Sequence, residues 1–101
     1  MEQATPPQLL LSGEIDIASA DALRNAGARA VDSLGPSDRL DVDLSGVTFI
    51  DSSGLGALVS IRNAAEAAGR AMSLHIVSPS IISLFELTGL RDAFTIVPEP
   101  H

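Results

Sequence analysis

The chain is 101 residues long, lacks cysteine and carries a formal charge of −7, thirteen acids standing against six basic residues that are all arginine. Its length and 46% apolar content fit one domain with a modest core, and the absence of cysteine excludes disulfide staples and thiolate metal sites. The negative balance repels nucleic-acid phosphates and anionic membranes, and the three aromatics, all phenylalanine, offer no stacking platform for bases, which argues against a nucleic-acid partner.

The chain opens with MEQATPPQ, residues 1–8, which has neither a basic region nor an apolar signal core and reads as a tail. No run of about 18 apolar residues follows, so the expectation is a cytoplasmic protein without direct membrane insertion. Residues 8–12 (QLLLS) predict a strand that runs into a bend at Gly13. Ser19 is the predicted N-cap of a helix of about four turns, with Asp21 in its first turn and Leu23, Ala26, Ala30 and Leu34 at helical spacing. Residues 35–38 (GPSD) end it.

Residues 39–44 (RLDVDL) alternate Leu40, Val42 and Leu44 with Asp41 and Asp43, the period of a strand whose acidic face is solvated. Ser45-Gly46 reads as an interruption before VTFI continues toward Asp51. A second helix carries Leu55, Leu58, Val59, Arg62 and Ala65 on one face, and Gly69 is placed to end it in the left-handed conformation. Residues 71–77 predict a strand with His75 packed inside it. Ser78-Pro79 opens a third helix through Ile82, Phe85 and Glu86 to Thr88, closed by Gly89, and residues 93–97 predict a last strand before a short tail, 98–101. Strands alternating with helices imply an α/β fold of βαβ units with right-handed crossovers, here one domain over residues 9–97.

The junction Asp51-Ser52-Ser53-Gly54 leaves a strand and enters a helix, the kind of loop at which α/β proteins place their sites. A catalytic serine elbow is excluded because Ile50 stands where the first glycine is needed. A phosphate-cradling loop is excluded by the absence of lysine. The spacing therefore assigns no catalytic residue, cofactor or metal ligand. Two readings remain: Ser52 or Ser53 caps the helix while Gly54 and Gly56 let it pack closely, or a serine here carries a phosphoryl group that the helix N-terminus tolerates.

The strings LSGEIDIASADALRNA, LDVDLSGVTFIDSSGLGALVSI and LFELTGL, in this order, closely resemble the STAS domain of bacterial anti-sigma factor antagonists. The resemblance implies a small mixed, mostly parallel sheet flanked by helices. It implies a non-enzymatic switch that, unphosphorylated, binds an anti-sigma factor with serine kinase activity and frees a sigma factor, and that a serine phosphatase restores after phosphorylation. Matched by position, the phosphoacceptor falls on Ser52, with Ser53 as its alternative and as the expected helix cap. Partner contact falls on Asp16, Asp51, Ser53, Gly54 and Gly56. An alternative within the family is an unphosphorylated scaffold subunit of a transporter or stressosome-like complex. The family's first strand and final helix have no counterpart here, because residues 1–8 are short and hold two prolines and the chain stops at His101, so an open sheet edge and a homodimer through it are expected.

Overall fold

The computed structural model describes residues 8–35 and 38–97; the expected tails, Gln8 apart, and Pro36-Ser37 of the expected helix stop lie outside them. Four strands and three helices alternate: β1 (Leu9–Ile15), α1 (Ile17–Asp32), β2 (Leu40–Ile50), α2 (Ser52–Ala67), β3 (Met72–His75), α3 (Pro79–Leu87) and β4 (Thr95–Val97). The strands form one sheet in the order β1-β2-β3-β4, and each described pair is parallel. The expected small sheet flanked by helices is thus present, but where a mixed, mostly parallel sheet was expected, every described pair is parallel. With sequential order and right-handed crossovers, the three helices fall on the same face of the sheet.

The alternation seen in the sequence decides which face is which. Leu40, Val42 and Leu44 of β2, with Leu74 and Ile76 on and just past β3, are withdrawn from solvent and meet Leu58, Ile61 and Phe85 of the helices. Phe85 meets Phe94 edge to face, with ring centroids 5.6 Å apart, a geometry worth about 0.5–1.5 kcal/mol beyond area burial. The opposite face carries Asp41, Asp43, Ser73 and His75. It is not the solvated acidic face expected: Asp41 is buried, held by Arg39 Nε at 3.0 Å, while Asp43 accepts from the Ser45 N–H at 2.8 Å. His75 is buried, as expected for a packed strand residue.

Several boundaries differ from expectation for identifiable reasons. β1 does not stop at Ser12, because Gly13 adopts φ +74° inside the strand and the pairing continues to Ile15. β2 is not interrupted at Ser45-Gly46; it absorbs them by slipping register, carrying one extra residue opposite Leu10–Ser12 and a second opposite Gly13–Glu14. The last strand starts at Thr95 rather than residue 93, because Arg91–Ala93 forms a tight turn whose Ala93 carbonyl accepts from Arg62 Nε. The expected glycine stops hold: Gly69 and Gly89 sit at φ +73° and +75°. The next residue's N–H, from Arg70 or Leu90, reaches back to Ala65 or Phe85 at 2.8 and 2.9 Å. Among the described residues no helix is long and apolar enough to cross a membrane.

α1 and α2 pack on each other at Gly27, where an added Cβ would lie 2.3 Å from Ile61 Cγ1. Gly27→Ala is therefore expected to destabilise the protein by about 1–3 kcal/mol in urea unfolding, even though alanine is the better helix former by about 1 kcal/mol. Ile61→Ala should cost less in the Gly27→Ala background than alone; equal costs in both backgrounds would refute the close approach.

Candidate functional site

Parallel strands deliver their C-terminal ends to one edge of the sheet; the first two hand over to a helix through a single residue, whereas residues 76–78 separate β3 from α3. β1 ends at Ile15, Asp16 follows, and α1 begins at Ile17; β2 ends at Ile50, Asp51 follows, and α2 begins at Ser52. The two handovers are tied together, since the Asp51 N–H donates to the Ile15 carbonyl at 3.1 Å. Asp16 and Asp51 therefore stand on neighbouring strand ends.

Both aspartates are helix caps. Asp51 has extended backbone, its Oδ1 accepts from the Gly54 N–H at 3.0 Å, and its carbonyl accepts from the Leu55 N–H at 3.0 Å. This corrects the expectation that Ser53 caps α2: the cap lies two residues earlier, and a carboxylate takes the donor that a serine was expected to take. Ser52 and Ser53 occupy the first two helical positions, Ser52 exposed and Ser53 half-buried. Asp16 likewise replaces Ser19 as the cap of α1, with its Oδ1 accepting from the Ala18 N–H at 3.0 Å and Ser19 Oγ accepting from the Asp16 N–H at 3.0 Å in a reciprocal capping box. Asp21 consequently lies beyond the first turn, where it pairs with Arg24 at 2.8 Å. Ser78 caps α3 with Pro79 behind it, as expected.

The two glycines of the motif have different surroundings. A Cβ at Gly54 would lie 2.8 Å from the Ile15 carbonyl oxygen and 2.9 Å from Ile50 Cγ2, so position 54 must be bare for α2 to start where it does. Gly56 is exposed, and a Cβ there would meet only Arg24 Nη2 at 3.8 Å, an ordinary contact. Packing thus gives no reason for glycine at 56, although glycine in a helix costs about 1 kcal/mol relative to alanine.

Sequence reasoning missed the apolar rim of this edge. Ile17, Phe49 and Val77 are 79, 48 and 40% exposed, and each sits at a strand-to-helix handover. Ile17 could have been found from its position, since an isoleucine directly after a capping aspartate precedes the apolar stripe of α1 rather than joining it. The edge thus combines exposed apolar side chains, two capping carboxylates, the exposed Glu14 and a free-standing serine.

Against known proteins, residues 2–98 match the family model described as Mlab, STAS domain. The chain is 34% identical over 89 residues to the anti-sigma-B factor antagonist of Bacillus subtilis (strain 168), covering 88% of this chain and 79% of that one. Its fold is similar to the anti-sigma factor antagonist SpoIIAA in its unphosphorylated form, at a TM-score of 0.68 and 18% identity over 97% of this chain and 86% of that one. Against the phosphorylated form of SpoIIAA from Bacillus the TM-score is 0.64 at 21% identity, with 96% and 89% covered. A sulfate transporter family protein from Wolinella succinogenes has a TM-score of 0.76 at 18% identity, covering 96% of this chain and 82% of that one.

If Asp51 is the cap, Asp51→Ala should lower the unfolding free energy by about 1 kcal/mol, whereas Ser53→Ala should stay within about 0.5 kcal/mol of the unsubstituted protein. Chemical denaturation of the two variants decides it, and the reverse order would restore Ser53 as the cap.

Proposed function

Since the chain belongs to the STAS domain family, we propose that it is an anti-sigma factor antagonist switched at Ser52. Unphosphorylated, it binds an anti-sigma factor that is also a serine kinase, and the bound sigma factor is released. The kinase then moves the γ-phosphoryl group of ATP to Ser52 Oγ: the O–P bond to serine forms, the bond to ADP breaks, and the hydroxyl proton leaves to a base on the kinase. A serine phosphatase hydrolyses the ester and resets the switch. The protein itself supplies no catalytic group and needs no cofactor, and its place of action is the cytoplasm.

The observation that carries this reading is the exposure of Ser52 at the first position of α2, next to a cap that another residue supplies. A phosphoryl group there adds a charge of about −1.5 to −2 without removing any bond that holds the helix, and the helix N-terminus favours that charge. The partner surface is a different matter. Ile17, Phe49 and Val77 offer apolar anchors, Asp16 and Asp51 offer charge, and the bare Gly56 lets a partner approach the α2 backbone. Charge added among these groups opposes a partner adapted to the unmodified edge.

The similarity to a sulfate transporter family protein supports a second reading, in which the same edge docks within a transporter or stressosome-like assembly and Ser52 is never modified. The two separate on incubation with the cognate anti-sigma kinase and ATP. The switch reading requires one phosphate on Ser52 and none in Ser52→Ala; label on another residue, or co-purification with a transport complex in place of a kinase, sinks it. Ser52→Asp should weaken the anti-sigma complex at least tenfold, about 1.4 kcal/mol.

Gly56→Ala separates binding from folding at the same edge. It should raise stability by up to about 1 kcal/mol in thermal or urea unfolding, while weakening partner binding measured by calorimetry. Unchanged affinity would remove Gly56 from the contact surface.

A further inference from the structure

We propose that Arg24 is the internal counter-ion of a phosphoryl group on Ser52, drawn away from Asp21 toward the N-terminus of α2. The inference rests on the preceding reading that Ser52 is phosphorylated, and adds what the fold does with the charge.

The geometry begins at Gly56. Arg24 Nη2 of α1 lies 3.8 Å from where a Cβ at Gly56 would stand, so the guanidinium crosses from α1 onto the exposed face of α2. Ser52 is four residues before Gly56, and both are exposed. Residues so spaced on a helix lie with their Cβ positions about 5–6 Å apart on one face, which brings Arg24 Nη2 within about 10 Å of the Ser52 Cβ. Long side chains in helices lean toward the N-terminus. Arg24 therefore reaches toward the end of the helix pair at which Ser52 sits, and a rotamer change together with the length of the phosphoryl group closes the remaining distance.

Energetics favours the exchange. In the unmodified protein Arg24 pairs with Asp21 at 2.8 Å, and the Asp21 side chain is 91% exposed, so the pair is weakly held. A phosphate dianion offers twice the charge and three acceptor oxygens in a geometry that suits a guanidinium fork. The charged groups around the phosphate are Asp51 at the cap of α2, Asp16, Asp21 and Arg24 on the α1 side, and Glu14 on β1. Arg24 is the one cation among these groups. Once paired it is held over the first turn of α2, so modification would oppose the partner's approach by bulk as well as by charge.

The test installs phosphoserine at position 52 of the full chain during synthesis, without any kinase, and follows the phosphate by phosphorus NMR as pH is varied. A neighbouring cation favours the dianion and lowers the pH at which it forms. Arg24→Gln should therefore move the phosphate titration to higher pH by about half a unit, as expected for a partly exposed pair. Asp21→Asn, which releases Arg24, should move it lower than in the unsubstituted protein. The Arg24→Gln difference should shrink toward nothing in 1 M salt. Coincident titrations for the Arg24→Gln and unsubstituted proteins would overturn the pairing. Because no kinase takes part, that result leaves Ser52 as phosphoacceptor untouched, and failure of a kinase to label Ser52 leaves the pairing measured here unaffected.

Discussion

The first turn of α2 lies so close to the end of β1 that a side chain at position 54 would overlap Ile15 and Ile50. The rest of the candidate site depends on this approach. It lets the Asp51 N–H complete the pairing of β2 with the Ile15 carbonyl, and it leaves no loop between strand and helix. It also forces the cap onto the residue directly after the strand. Gly27 repeats the device further along, where α1 and α2 touch at Ile61. Two bare positions thus hold the helix pair against the sheet and against each other, and Arg24 comes to lie over α2 as a result.

The alternation of Leu40, Val42 and Leu44, the helical spacing in α2 and the two glycine stops were legible because each follows from a single local period or backbone preference. The caps were not. Asp16-Ile17-Ala18-Ser19 and Asp51-Ser52-Ser53-Gly54 each contain an aspartate and a serine able to cap, and residue type alone does not say where the chain leaves extended conformation. Tertiary pairing says it: the ladder between β1 and β2 runs to Ile15 and Ile50, so the next residue in each case must be the cap. The same ladder explains why Gly13 and Ser45-Gly46, which read as breaks, sit inside strands. The exposure of Phe49 and Val77 was invisible for another reason, since exposure of an apolar residue within or just past a strand is a property of the assembled edge.

Separating the capping carboxylate from the exposed hydroxyl bears on how this edge can act. Had a serine capped α2, its modification would have cost the helix a bond and coupled signalling to unfolding. With Asp51 as the cap, folding and surface charge can be set independently at adjacent residues.

β2 spends nine residues, 42–50, where β1 spends seven, 9–15. One extra residue in a strand reverses which side chains face inward from that point on, and a second restores the original sense. The inward positions accordingly step from Leu40, Val42 and Leu44 to Val47 and then to Ile50. The strand therefore obeys a parity rule. Loss of a single residue between Leu44 and Ile50 would turn Ile50 to the wrong side and send the chain into α2 on the opposite phase, while loss of two would leave the handover as it is. Length variation in this segment is expected to come in pairs.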